Sequence, residues 1–201
     1  MTAKAERKLC QTAKFVPSGL DLTIPKDLAN PPWYVLQVMT GTERECVRRL
    51  RGMRMEAFAP SRIMPELSGG KWRLKERAML PGYVFIRSRM DAADYYRVSS
   101  VPDAVRLLPG GGRVEPVPEA QMRWLLTLGR DGEPWGVSFA VMEDGHPRIL
   151  SGPLAGHEDR LLRWDRRRRR ARIAVDVLDR RREIEVGLEE IGIEAACKTH
   201  G

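Results

Sequence analysis

The sequence has little sulfur, little histidine, few aromatics and no long apolar run, and each shortage removes a class of protein. Of 201 residues, 3 are Cys and 3 are His. Cys10, Cys46 and Cys197 stand far apart, and His146, His157 and His200 do not supply zinc-ligand spacing. No metal and no other cofactor is expected, and an odd thiol count provides no disulfide framework. Such thiols fit a reducing, cytoplasmic setting. No apolar stretch approaches the ~20 residues of a membrane helix. Lys4, Glu6, Arg7 and Lys8 precede no signal-peptide core, so neither a membrane span nor secretion is expected. Catalytic groupings are missing too. His146 and His157 lack a paired nucleophile, and the acids show no motif spacing. Gly110-Gly111-Gly112 is a turn rather than a phosphate loop, because no Gly-x-Gly-x-x-Gly leads from a strand into a helix. The chain is not expected to be an enzyme.

What is present is arginine. The basic residues number 35 against 27 acids, for a net charge of +8 and a pI near 9.8. Only Lys4, Lys8, Lys14, Lys26, Lys71, Lys75 and Lys198 are lysines. The planar guanidinium suits bidentate contact with phosphate, which points to a nucleic-acid partner. The charge is uneven: +2 over residues 1–31, +6 over 32–129 and zero over 130–201. Yet 160–172, inside the neutral part, holds eight arginines and one acid. With 42% hydrophobic residues the chain has enough apolar material for a core.

Periodicity divides the chain. Residues 1–31, rich in proline, read as a disordered extension with a short docking segment at Leu20–Ile24. Trp33–Met39 reads as a buried strand, and Thr42 and Glu45 have the spacing of a capping box. Cys46, Val47, Leu50 and Met53 then recur at helical intervals, leaving Arg44, Arg48, Arg49 and Arg51 outward. An extended run at Ala57–Leu67 turns at Ser68-Gly69-Gly70 and returns through Lys71–Lys75 as a hairpin. Further elements are a strand at Tyr83–Ile86, a helix near Asp91–Ser100, a strand at Val105–Leu108 and a helix from Pro118 that stops at Gly129. The order predicts an α+β domain, helices against a mostly antiparallel sheet, over 32–129. Residues 130–137 read as a linker. Beyond it Ile173, Val175 and Val177 alternate with Arg172, Ala174 and Asp176, and Ile184, Val186 and Leu188 with Glu183, Glu185 and Gly187, predicting a small closed β-barrel over 138–192 and a tail at 193–201.

These two blocks together resemble the NusG family of transcription elongation factors. Trp33-Tyr34-Val35, Pro81-Gly82-Tyr83-Val84-Phe85-Ile86, Val101-Pro102 and Val105-Arg106 resemble its amino-terminal (NGN) domain, a ferredoxin-like antiparallel sheet with helices. Ser151-Gly152-Pro153-Leu154-Ala155-Gly156 and Val186-Gly187-Leu188-Glu189 resemble a KOW domain, an SH3-like barrel. The Gly-Pro-Leu run followed by an Arg-rich turn is most similar to the LoaP branch of specialised antiterminators. Asp159 stands where KOW domains usually carry a glycine, so the first hairpin is expected to differ in geometry.

The resemblance implies partners. Tyr83, Phe85 and Leu107 match residues with which NGN domains grip the clamp helices of RNA polymerase, and alternate aromatics on a strand can line an apolar groove. Arg163, Trp164, Arg166, Arg167, Arg168, Arg169, Arg170 and Arg172 would form an RNA-phosphate grip at a hairpin turn, with a structured leader RNA as ligand. About five phosphate contacts there would give a salt slope of roughly −3.5 to −4.5. Arg44, Arg48, Arg49, Arg51, Arg62, Lys71, Arg73, Lys75 and Arg77 read mainly as solvated surface, with some facing upstream DNA or the non-template strand. The function implied is a monomeric, RNA-recruited antiterminator. Its rivals are a general NusG whose KOW domain binds termination factor or ribosome, and an RNA-binding module unconnected to polymerase.

Overall fold

The computed structural model describes residues 21–22, 30–110, 113–127, 133–177 and 180–191. Most of the expected extension, the helix stop at Gly129, the start of the linker, the tail, Cys10, Cys197 and His200 lie outside the described residues. In chain order the elements begin with β1 (Asp21–Leu22), β2 (Trp33–Val38), α1 (Glu43–Gly52), β3 (Glu56–Phe58), β4 (Ser61–Ser68) and β5 (Lys71–Ala78). They continue with β6 (Tyr83–Arg87), α2 (Ala92–Ser99), β7 (Ala104–Leu107), β8 (Pro109–Gly110), β9 (Arg113–Val114) and α3 (Glu119–Thr127). Last come β10 (Ser138–Glu143), β11 (His146–Ser151), β12 (Leu161–Asp165), β13 (Arg170–Val177) and β14 (Arg180–Glu190). The chain forms two compact units, one of residues 1–59 with 81–122 and the other of 60–80 with 123–201.

The first unit is built on the antiparallel sheet β3-β6-β2-β7. Strand alternation gives it two faces. On one, Tyr34, Leu36 and Val38 join Val84, Ile86 and Leu107, and are packed by Cys46 and Leu50 of α1 and Val98 of α2. On the other, Phe85 stacks on Phe58 with centroids 5.3 Å apart, and Phe58 meets Trp33 edge-on at 5.2 Å. β1 pairs in parallel with β9, Asp21 opposite Arg113 and Leu22 opposite Val114, within the expected docking segment.

The start of α1 departs from the capping box. Thr42 makes no side-chain cap; its hydroxyl donates to the Met39 carbonyl at 2.7 Å, and Glu45 pairs with Arg48 and Arg49 instead. The carboxylate that works there is Glu43, 5% exposed, which accepts the Gly41 N–H at 2.9 Å and the Gly82 N–H at 2.7 Å. Glu43 therefore ties α1 to the Pro81-Gly82 turn that launches β6, using charge-assisted bonds shielded from water.

The second unit is the curled sheet β11-β10-β14-β13-β12, in which β10 and β14 are parallel and the other neighbours antiparallel. Its interior holds Ala140, Leu154, Ile173, Val175, Ile184, Val186 and Leu188. Gly152 and Gly156 take positive φ of 94° and 79°. A Cβ on Gly152 would stand 2.6 Å from the Ser138 Cα, so only glycine fits there. Asp159 occupies a 3₁₀ turn, Glu158–Arg160, and is not among the described residues with positive φ, so this turn takes an L-residue without strain.

To the same unit belongs the β4-β5 hairpin, whose tip glycines Gly69 and Gly70 both have positive φ, as a two-residue turn requires. Trp135, in the expected linker, is buried and bridges to Arg62: its carbonyl accepts from Ile63 N–H and its N–H donates to the Ser61 carbonyl, both at 2.7 Å. Gly187 lets the hairpin approach β14, since a Cβ there would lie 3.1 Å from the Ile63 carbonyl oxygen and 3.2 Å from Pro65 Cδ.

Phe85→Ala should cost about 3–5 kcal/mol in a urea melt, whereas Tyr83→Ala, on a half-buried side chain, should cost about 1 kcal/mol; equal costs would contradict the placement of Phe85 in the interior. Gly152→Ala should cost more than about 2 kcal/mol, since the positive φ alone accounts for roughly 1–2 kcal/mol; an unchanged melt would contradict the close approach to Ser138.

Candidate nucleic-acid interface

The arginine cluster is shaped by two ladders. In β12-β13, Arg163 faces Arg172, Trp164 faces Ala171 and Asp165 faces Arg170, so residues 166–169 form the turn and Arg169 takes a positive φ of 54°. In β13-β14, Arg172 faces Glu185, Ala174 faces Glu183 and Arg170 faces Gly187. Arg163, Arg170 and Arg172 therefore share one face of the sheet. With Asp165, Arg167, Arg168, Ala171 and Glu185 they wall an open cavity of about 610 Å³.

The same ladders bring acids of β14 beside the arginine run. Arg170 pairs with Glu185 at 3.1 Å, and Arg172 with Glu183 at 3.4 Å and Glu185 at 3.7 Å. Arg169 pairs with Glu189 at 3.4 Å, and Arg166 grips Glu190 with both Nε and Nη2. Arg168 lies 3.8 Å from Asp165, whose Oδ1 also accepts the Arg168 N–H at 3.0 Å. Arg163 and Arg167 make no ion pair with a described residue and are exposed. These half-exposed pairs hold little free energy individually, so an incoming phosphate can exchange for a carboxylate at small cost. The partners were foreshadowed by the period-two pattern that puts Glu183 and Glu185 outward between Ile184 and Val186.

Trp164 has another task. Its indole N–H donates to the Leu188 carbonyl at 3.2 Å and its ring is half-buried, so it fixes β12 against β14, with Arg166 6.0 Å above the ring. On the hairpin, Arg62 directs its guanidinium at the Ala78 and Met79 carbonyls, at 3.1 and 3.3 Å, while its Nε lacks a partner among the described residues. Burial pulls this guanidinium below its ordinary range, and Glu185 pushes back. Glu66 is the opposite case: the hydrogen bond from Arg77, with Lys75 assisting, holds its carboxyl down to about 2.

The expected polymerase-binding trio does not form one surface. Tyr83 and Phe85 share a face with Gln37 and Arg106, whose Nε donates to Gln37 Oε1 at 3.0 Å. Leu107 lies opposite Leu36 on the helix-packed face and is 6% exposed. The correction follows from strand alternation, because Leu36 separates the two sets by one residue from Gln37. Phe85 is 0% exposed, so of the three only Tyr83 presents a partly accessible side chain. Arg44, Arg48, Arg49 and Arg51 are exposed on α1, as are Lys71, Arg73, Lys75 and Arg77 on β5. Among the described residues no group of three His, Cys, Asp or Glu could hold a metal ion, and no helix is long and apolar enough to cross a membrane.

Residues 31–126, just under half the chain, match the family model described as "Transcription termination factor nusG". The transcription termination/antitermination protein NusG of Yersinia pestis is 26% identical over 175 residues, covering 79% of this chain and 94% of that protein. NusG of Escherichia coli (strain K12) gives the same identity and coverage, and NusG of Helicobacter pylori (strain ATCC 700392 / 26695) is 24% identical over 166 residues, covering 77% and 93%. A solved structure concerned with domain interaction in Thermotoga maritima NusG aligns with a TM-score of 0.47 at 24% identity, covering 78% of this chain and 93% of that one.

Because Glu185 pairs with both Arg170 and Arg172, Glu185→Gln should release Arg170 and leave Arg172 held by Glu183 alone at the cavity. The variant should elute from heparin at higher salt than the parent protein; unchanged elution would mean that these pairs do not hold the arginines back.

Proposed function

We propose that the chain is a NusG-family factor, a reading supported by the match over residues 31–126 and by the NusG relatives, that it promotes processive antitermination and that it is recruited by a structured leader RNA. An NGN domain over 32–129 binds RNA polymerase at the clamp helices, and a KOW domain over 138–192, joined by residues 130–137, carries the RNA site. The chain acts as a monomer and by binding energy alone: tethering two domains raises the effective concentration of each at its own target. On the polymerase side the contact surface is the sheet face bearing Gln37, Tyr83 and Arg106, with Phe85 as its packed floor and Leu107 in the core behind it. Exposed arginines of α1 and the basic row of β5 lie toward upstream DNA or the non-template strand.

The observation that carries the RNA half of this reading is the open cavity of about 610 Å³ walled by Arg163, Arg167, Arg168, Arg170 and Arg172. Phosphate contacts of this kind position an RNA backbone, and folded RNA is recognised largely by shape. One observation favours a second reading. Five carboxylates, Asp165, Glu183, Glu185, Glu189 and Glu190, stand against the arginines, and so balanced a surface also suits a protein partner, as in a general NusG whose KOW domain meets termination factor or ribosome.

Single-round transcription with purified polymerase separates the two. Terminator readthrough that requires a leader hairpin in the template, and is reduced by Tyr83→Ala, is the expected result. Readthrough or altered pausing without any hairpin would establish the second reading. Arg163, Arg167 and Arg168, the least restrained of the cluster, would close about three phosphate contacts, so log K for hairpin RNA should fall with log[salt] at a slope of about −2 to −3. A slope near zero would overturn RNA binding by this surface.

A further inference from the structure

The β4-β5 hairpin carries an exposed apolar strip that neither core absorbs. Leu67 faces Trp72 and Pro65 faces Leu74 across the ladder, so these four side chains share one face. Pro65 is buried, but Leu67, Trp72 and Leu74 are 61%, 37% and 65% exposed. Three of the eight large hydrophobics exposed among the described residues thus stand side by side on one ribbon. The strip sits beside the arginine turn: the Arg169 guanidinium lies 4.6 Å from the Trp72 ring centroid, and Arg169 is also paired with Glu189. Both belong to the second unit. The opposite face of β5 bears Lys71, Arg73, Lys75 and Arg77, all exposed, against the single carboxylate of Glu66.

We propose that this strip is a stacking platform for unpaired nucleotides, so that the RNA site runs from the arginine cavity past Arg169 onto Trp72. The occupant follows from the chemistry around it. A protein helix or strand docking on three apolar side chains would meet net positive charge on both sides, at the turn where Arg163 and Arg167 make no ion pair with a described residue and along β5, and would need an acidic flank. An unpaired nucleotide carries an apolar π-face and a phosphate together. Its base covers Trp72, and its phosphate lies where Arg163, Arg167 and Arg168 have little or no acid to hold them. Arg169 on the ring shows that the indole face already accepts a cationic plane, and a base can extend that stack. A fully paired duplex cannot use the strip, because its bases are stacked inside the helix. The platform therefore selects RNA with a loop or bulge near a phosphate-rich stem. This inference rests on RNA binding by the arginine turn and specifies which part of an RNA is read.

The test compares two fluorescently labelled RNAs of equal length and charge on the full chain by anisotropy over a range of KCl: a hairpin with a six-nucleotide loop and a blunt, fully paired duplex. The hairpin should bind about tenfold more tightly than the duplex. Trp72→Ala should abolish this preference while leaving the salt slope unchanged, and Trp72→Phe should preserve most of it. Leu74→Glu, on a side chain too exposed to disturb the fold, should weaken hairpin RNA about tenfold and duplex RNA less, which covers the case in which Trp72→Ala loosens the hairpin. Salt-dependent binding with equal affinity for both RNAs, unmoved by Trp72→Ala and Leu74→Glu, would overturn the platform and leave the arginine grip standing. No salt-dependent binding of either RNA would overturn both.

Discussion

The antiparallel register between β13 and β14 is the constraint on which the rest of the second unit depends. A shift of one residue would turn every side chain of a strand to the other face. In the observed register Arg172 meets Glu185, Ala174 meets Glu183 and Arg170 meets Gly187. The first two pairings place acids beside the arginine run. The third leaves β14 without a side chain where the Ile63 carbonyl and Pro65 come close, so one glycine admits the hairpin. Charge, cavity and hairpin position thus share an origin in backbone pairing driven by the apolar residues Ile173, Val175, Ile184 and Val186.

A similar alternation governs the first unit. Gln37 and Leu36 are neighbours, yet one belongs to the face of Tyr83 and the other to the face of Leu107. The aromatic cluster of Phe58, Phe85 and Trp33 packs one side of the sheet, and the α1 and α2 contacts pack the other. Glu43 joins the two by binding the Gly82 N–H, which positions β6 relative to α1. The polymerase surface proposed for this unit is accordingly one face only, with Phe85 packed beneath Tyr83.

Much of this was legible in the sequence because it is local. The strand at Trp33, the helix through Cys46 and Leu50, the Gly69-Gly70 turn and the alternation after Arg170 are each set by neighbouring residues, and the elements follow the predicted order. The α+β character also follows from that order. What was not legible is long-range. The choice of Glu43 over Thr42 at the start of α1 depends on a turn 39 residues away. The neutralisation of the arginine run depends on Glu183, Glu185, Glu189 and Glu190, which reach it only through strand pairing. Leu107 was grouped with Tyr83 by resemblance, and only the register with β2 shows that the sheet lies between them. The burial of Trp135 against the hairpin likewise depends on where β4 lies.

The net charge of the chain is therefore a poor guide to its active charge. A run of eight arginines over 160–172 reduces, once the acids are placed, to a cavity where Arg163 and Arg167 alone make no ion pair with a described residue. Pairing, more than the number of arginines, decides which of them is available to the proposed RNA ligand. The most direct measurement is the affinity of a hairpin RNA, at several salt concentrations, for Arg163→Ala/Arg167→Ala and for Arg170→Ala/Arg172→Ala. The account predicts that the first pair loses more affinity and shallows the slope by about 1.4 to 1.8, at 0.7 to 0.9 per phosphate contact, while the second changes it less. Equal losses and equal slopes from the two pairs would contradict it.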